Sequence, residues 1–159
     1  MDLTIIIPVK NEENNILNIV DSINSKIKVD YEILFIDDFS TDNTTNVIKN
    51  FQSENNKIKL IKNELGGLGQ SIRNGIKHSN GKYLSILMCD GSDDLEDLNR
   101  YYSTIKDNNL DAVFGSRFLP KSKIYDYPKF KLILNRIFNY FVSIVYLNKY
   151  NDYTNAFKI

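Results

Sequence analysis

Apolar residues follow two alternating patterns along the first two-thirds of the chain. Short β-branched runs at 3–7, 31–36, 58–61, 83–88 and 112–115 predict five strands, the first stopped by Pro8. Between them the apolar positions recur every three or four residues. Ile16, Ile19, Val20 and Ile23 predict a helix over 12–25, and Val47, Ile48 and Phe51 a second that Ser40 or Thr41 caps. A glycine loop at 66–69 leads into a third helix through Lys77, with Arg73 and His78 read as solvated. A fourth spans 93–106, with acids in its first turn. Strands apolar on both faces and alternating with helices imply an α/β fold, a mostly parallel sheet with helices on both faces. Ligands of such sheets gather at the carboxyl ends of the strands. Those ends carry Lys10-Asn11-Glu12, Asp37-Asp38, Asp90 and Ser116-Arg117.

The pattern changes over 128–149. Phe130, Leu132, Ile133, Leu134, Ile137, Phe138, Phe141, Val142, Ile144, Val145 and Leu147 leave one polar stripe, Lys131, Asn135, Asn139 and Ser143, with Arg136 beside it. The run is shorter than the roughly 20 residues that span a bilayer. It reads as an amphipathic interfacial helix, apolar face in lipid and basic residues at the head groups, or equally as a helix packed on the sheet or in a dimer.

Charge sharpens this division. The 159 residues have a formal net charge of zero, which gives no general attraction to nucleic acid. Residues 1–116 nevertheless carry a net −6, and 117–149 a net +6 from Arg117, Lys121, Lys123, Lys129, Lys131, Arg136 and Lys149 against Asp126. A basic end on an acidic body predicts an anionic partner for that end. One cysteine, Cys89, fits a reducing compartment. The N-terminus lacks the pattern of a signal peptide, so a cytoplasmic location is expected.

Six motifs occur in order along the whole chain: Ile5-Ile6-Ile7-Pro8-Val9-Lys10-Asn11-Glu12, Ile36-Asp37-Asp38-Phe39-Ser40-Thr41-Asp42-Asn43-Thr44, Gly67-Leu68-Gly69, Asp90-Gly91-Ser92-Asp93-Asp94-Leu95-Glu96-Asp97, Gly115-Ser116-Arg117-Phe118 and Asp152-Tyr153-Thr154-Asn155-Ala156-Phe157-Lys158. The ordered set resembles family 2 glycosyltransferases of the GT-A (Rossmann-like) fold, in the branch of dolichyl-phosphate mannose synthase and polyprenyl-phosphate sugar transferases. The resemblance implies one catalytic domain. Residues 1–116 would form the nucleotide-sugar-binding core and 117–159 the acceptor- and membrane-facing segment. The family continues past the last motif while this chain stops at Ile159, consistent with a shortened form.

It further implies that Pro8, Lys10, Asn11, Glu12, Asp37, Asp38, Cys89 and Asp90 line the pocket of a UDP- or GDP-linked sugar, Asp38 accepting from the base or ribose. Asp90 would carry the metal-binding role of the family's Asp-x-Asp motif, with Ser92 as a second ligand for Mg²⁺ or Mn²⁺. Here the motif reads Met88-Cys89-Asp90, so its first acid is missing and weaker metal dependence is expected. Arg117, Lys131 and Arg136 would hold the acceptor phosphate, with Asp90, Arg117 and Lys131 as the catalytic set. Asp152 and Lys158 would close the acceptor side. A lipid phosphate is already ionised and needs no general base, so catalysis reduces to bringing two anions together and neutralising them, with inversion at the anomeric carbon. The implied partners are the nucleotide sugar, a lipid phosphate, the cytoplasmic membrane face and, in some form, an oligomer.

Two alternatives remain at this level. A sugar hydroxyl of a cell-surface polysaccharide would need Asp126 or Asp152 as base. A catalytically impaired binding protein would keep the pocket alone. A nicotinamide-dependent oxidoreductase is excluded, because the first turn lacks G-x-G-x-x-G.

Overall fold

A computed structural model describes residues 1–120, 122, 128–148 and 150–159, with Lys129 described by its backbone. Lys121, Lys123, Asp126 and Lys149, named above for charge or as a base, lie outside the described residues. The chain forms two units, Met1–Val113 with Phe157–Ile159, and Phe114–Ala156.

The first unit holds β1 (Leu3–Val9), α1 (Ile16–Lys26), β2 (Tyr31–Asp37), α2 (Thr44–Glu54), β3 (Ile58–Lys62), α3 (Leu68–His78), β4 (Tyr83–Ile86) and α4 (Leu95–Asp107). Its strands form one parallel sheet in the order β3-β2-β1-β4. The chain winds outward from β1 through β2 to β3, then crosses back to the other side of β1. Right-handed crossovers therefore put α1 and α2 on one face and α3 on the other.

The core follows the alternation within the strands. Leu3, Ile5, Ile7, Ile33 and Phe35 join Ile16, Ile23, Ile48, Leu98 and Ile105 in one cluster. Ile6, Leu34 and Ile36 form the second, toward α3. Gly75 lets α3 approach this face, since a methyl group there would sit 2.4 Å from Ile6 Cγ2.

Pro8 lies inside β1 and does not stop it. The Ile6 carbonyl accepts from Leu87 N–H, so even positions of β1 face β4, and the last β4 partner is Ile86, opposite Ile6. At Pro8 no ladder bond on that side calls for its missing N–H. The strand predicted over 112–115 reduces to one reciprocal pair of backbone hydrogen bonds between Val113 and Ile159. Helices α1 and α2 begin later than predicted, at Ile16 and Thr44, because the residues before them are used in loops.

The second unit is built on α5 (Lys129–Val145). Its orientation reverses that of a core helix. Phe130, Ile133, Leu134, Ile137, Phe138, Phe141, Ile144 and Val145 are all exposed, while Asn139 is buried. The Asn139 amide donates to the Asn135 carbonyl and Thr154 Oγ1 and accepts from Tyr153 N–H, and Ser143 Oγ donates to the Asn148 carbonyl. Asn139, with half-buried Asn135 and Ser143, thus lies on the inward side of α5, while Lys131, the first residue of the predicted stripe, is exposed.

Candidate active site

The loops after β1 and β2 are fastened to each other. Asn11 N–H donates to Ser40 Oγ, and Asn11 Oδ1 accepts from Thr41 N–H at 2.7 Å. Glu12 N–H donates to Thr44 Oγ1 at 2.8 Å, Glu13 N–H to Asp42 Oδ2, and Asn43 N–H to Glu13 Oε2. Asp42 also accepts from Thr44 N–H and so opens α2, the task the sequence had assigned to Ser40 or Thr41.

Within this rim Asp38 is fixed from three directions. Its Oδ1 accepts from Asn63 Nδ2 at 3.0 Å and from Gly67 N–H at 2.9 Å, and Lys10 Nζ stands 3.9 Å from Oδ2. The Asn63 hydrogen bond is the largest influence on its acidity; with Gly67 and Lys10 it outweighs desolvation and holds the carboxyl below the usual range. Gly67 aims its N–H with φ at +107°, a conformation suited to glycine. Asp37 is buried and turned into its own loop, accepting from Ser40 N–H. Asn63 was absent from the predicted set, although it follows β3 directly and the strand-end argument would have found it. Its amide also donates to Ser71 Oγ, tying the β3 exit to α3.

The exit of β4 brings Cys89 within electrostatic reach of Glu12 and of its neighbour Asp90. Cys89 is buried, and its thiol is pushed up to about 12, by burial first and then by Glu12 and Asp90. It stays protonated and apolar in character. Asp90 is exposed, with Oδ1 accepting from Ser92 N–H across a turn in which Gly91 has φ +71°. Asp94 caps α4 by accepting from Glu96 N–H, whereas Asp93 holds Met88 N–H. Glu12 Oε2 accepts from Asn15 Nδ2 at 2.6 Å. Pro8, Lys10, Asn11, Glu12, Asp37, Asp38, Cys89 and Asp90 therefore belong to adjoining strand ends of one sheet.

Among the described residues, no three His, Cys, Asp or Glu side chains gather closely enough to hold an ion alone. Asp90 and Ser92 are hard oxygen donors. With a single carboxylate they fit a divalent ion whose other ligands come from a diphosphate and water.

In the second unit, Arg117 and Asp152 form a bidentate pair. Nε and one terminal nitrogen donate to Asp152 at 2.9 and 2.7 Å, Arg117 N–H adds a third bond, and the guanidinium also reaches Thr154 Oγ1. The Asp152 side chain is fully buried. Burial is the largest single influence and raises its pKa, but the bonds from Arg117 together hold it below the usual range. The phosphate-clamp candidate is thus committed in large part to an internal carboxylate. Arg117 and Arg136 both pack on the Phe118 ring, at 5.6 and 5.5 Å from its centroid. Arg136 lines a cleft of about 480 Å³ with Tyr140, Asn139 and Tyr150, while Lys131 lies on the exposed first turns of α5. Lys158 belongs to the first unit, where Ser85 Oγ donates to its carbonyl beside β4.

Residues 4–159 match the family described as Glycosyl transferase family 2. The chain is 31% identical over 132 residues to the poly(ribitol-phosphate) beta-glucosyltransferase of Bacillus spizizenii, covering 77% of this chain and 21% of that protein. It is 33% identical over 129 residues to the dolichyl-phosphate beta-glucosyltransferase of Dictyostelium discoideum, covering 72% of this chain and 39% of that one. It therefore spans well under half the length of either relative. Among solved structures, S. aureus TarS 1-349 in complex with UDP-GlcNAc aligns with a TM-score of 0.62 and 22% identity over 79% of this chain and 39% of that chain. The mannosyltransferase PcManGT from Pyrobaculum calidifontis in complex with GDP-Man and Mn²⁺ aligns with a TM-score of 0.51 and 22% identity over 55% of this chain and 27% of that one. At these identities the likeness is one of fold, and that fold is the GT-A arrangement of a parallel sheet flanked by helices. The strand-end motifs and the match across almost the full sequence agree: this chain belongs to glycosyl transferase family 2.

Proposed function

We propose that the chain is the nucleotide-sugar-binding part of a glycosyltransferase, and that it delivers the sugar to a lipid phosphate at a membrane surface. The observation that carries the donor half is Asp38. A carboxylate held ionised by Asn63, Gly67 N–H and Lys10 at the end of β2 is an acceptor with a fixed direction, suited to the N–H or O–H groups of a nucleoside. Lys10 stands beside it, and Pro8, Asn11, Glu12, Asp37 and Cys89, at the adjoining strand ends, would complete the pocket.

Asp90 and Ser92 would hold Mg²⁺ or Mn²⁺ together with the diphosphate. The ion would neutralise charge developing on the leaving nucleoside diphosphate. The exposure of Asp90 leaves it accessible to an ion arriving with the donor.

The acceptor half rests on residues 117–159, with Arg117, Lys131 and Arg136 as its cations and the outward apolar face of α5 as its membrane contact. The Dictyostelium relative, whose name specifies dolichyl phosphate, agrees with this reading. A hydroxyl acceptor is the second reading, favoured by the poly(ribitol-phosphate) relative. It requires a base, and Asp152 is a poor one, being enclosed and held ionised by Arg117.

A thermal-shift panel of UDP, GDP and their sugars, with and without Mn²⁺, tests the donor half. At least one nucleotide sugar should raise the melting temperature, more so with the ion. No shift with any of them would end the donor reading. Sugar transfer to polyprenyl phosphate rather than to a poly(ribitol phosphate) acceptor separates the two acceptor readings.

A further inference from the structure

Phe39 follows Asp38 directly and serves none of the roles assigned so far. Its backbone is left-handed, with φ +60°, which is uncommon and strained for a bulky side chain. Glycine would adopt this conformation freely. The residue is also 55% exposed, so burial in the core does not compensate for the backbone.

The ring has a definite neighbour. The point that a methyl group would occupy on Gly66 lies 3.8 Å from Phe39 Cε2 and 3.7 Å from Asp38 Oδ1. One edge of the ring and the fixed carboxylate therefore border the same bare glycine. The loop presents, side by side, an uncovered aromatic ring and an acceptor-only group whose direction is set by Asn63 and Gly67. The complement of that pair is a flat heteroaromatic ring with an N–H on its rim, which describes a nucleobase. Ribose, phosphate and a hexose lack the planar π-face.

We propose that Phe39 is a stacking platform for the donor nucleobase, with Asp38 taking a hydrogen bond from the base edge. The inference deepens the donor reading above and rests on it. It assigns to Phe39 a share of the affinity that depends on the base and not on the diphosphate. Stacking of this kind tolerates any base, so Phe39 sets affinity for nucleotides generally, and the choice between uracil and guanine falls to other groups.

Isothermal titration with UDP, GDP and ribose 5-diphosphate, which lacks a base, tests this. Phe39→Leu should weaken whichever nucleotide the chain binds by roughly 5- to 100-fold and leave ribose 5-diphosphate within about twofold. Phe39→Gly suits the backbone and should give the same selective loss with an unchanged or higher melting temperature, separating binding from folding. The chain has no tryptophan, so Phe39→Trp introduces a sole indole. Its emission should be quenched when the nucleotide stacks on it, at near-normal affinity. Normal nucleotide binding by Phe39→Leu, an equal loss for the base-free ligand, or indole emission unmoved by saturating nucleotide would each overturn the proposal while leaving the donor reading standing. Failure of the unsubstituted chain to bind either nucleotide would remove both.

Discussion

Two carboxylates, Asp38 and Asp152, are held ionised by different means. Asp38 keeps a partly accessible carboxylate aimed by neutral donors and one lysine; Asp152 is sealed against an arginine. Asp38→Asn keeps the shape but removes the charge, and should weaken nucleotide binding by about 10- to 100-fold in calorimetry, the range for a hydrogen bond to a charged group. Asp152→Ala strands Arg117 and should destabilise the second unit by about 3 kcal/mol, read as faster amide exchange around 117 and 154. Because the folded pKa of Asp152 is depressed, its stabilising effect is complete above the ordinary carboxylate range. It fades as pH falls through the lower folded value. Acid titration of amide exchange in Asp152→Asn should lack that loss, having lost the stabilisation at every pH. The positions of Asp38, Glu12 and Asp90 were legible because a polar residue at the end of an apolar strand is conspicuous. Asn63 obeys the same rule, but an uncharged amide after a strand is far less conspicuous than an acid. The pairing of Arg117 with Asp152, 35 residues apart, has no local signature in the sequence.

The elements were legible where burial dictates pattern. β1 and β2 are buried on both faces, and their apolar runs gave them away. Boundaries were less so. Glu12 to Asn15 continue the helical spacing in sequence yet serve as loop fasteners, because Glu12 and Glu13 N–H find partners in 42–44 and not within a helix. The short segment at 112–115 pairs with Ile159, a partner that spacing cannot reveal. The sharpest packing constraint between elements is Gly75 of α3 on Ile6 of β1. Gly75→Ala gains helix propensity but drives its methyl into Ile6, and should lower stability by about 1–3 kcal/mol, several degrees in melting temperature. Gly75→Ala should cost less in an Ile6→Ala background than alone, a coupling that a double-mutant cycle by urea denaturation would read.

At the scale of the molecule, the acidic body and basic end read from composition correspond to a sheet unit and a helical unit with opposite manners of burial. The first hides its apolar residues; α5 displays them. Among the described residues no helix is long and apolar enough to cross a membrane. A face carrying Phe130, Ile137, Phe138, Phe141 and Ile144 in the open suits an interface instead. The chain should sediment with vesicles containing anionic lipid. Replacing Phe138 and Phe141 with Ser should cut the bound fraction by tenfold or more without lowering the melting temperature, since each aromatic contributes on the order of 1.5–3 kcal/mol when buried and neither supports the core. Loss of fold in that variant would instead mean that the face is internal to an assembly.

The stitching of the 11–13 loop to the 40–44 loop has a kinetic consequence. Five hydrogen bonds join backbone and side chains across the two segments. On the proposed donor reading these bonds hold the strand ends in place without help from a ligand, so capture should proceed by docking without their rearrangement. Stopped-flow mixing should then give single-exponential traces whose rate climbs in proportion to ligand concentration and shows no plateau. Thr44→Val, which severs one stitch, should introduce a slow second phase.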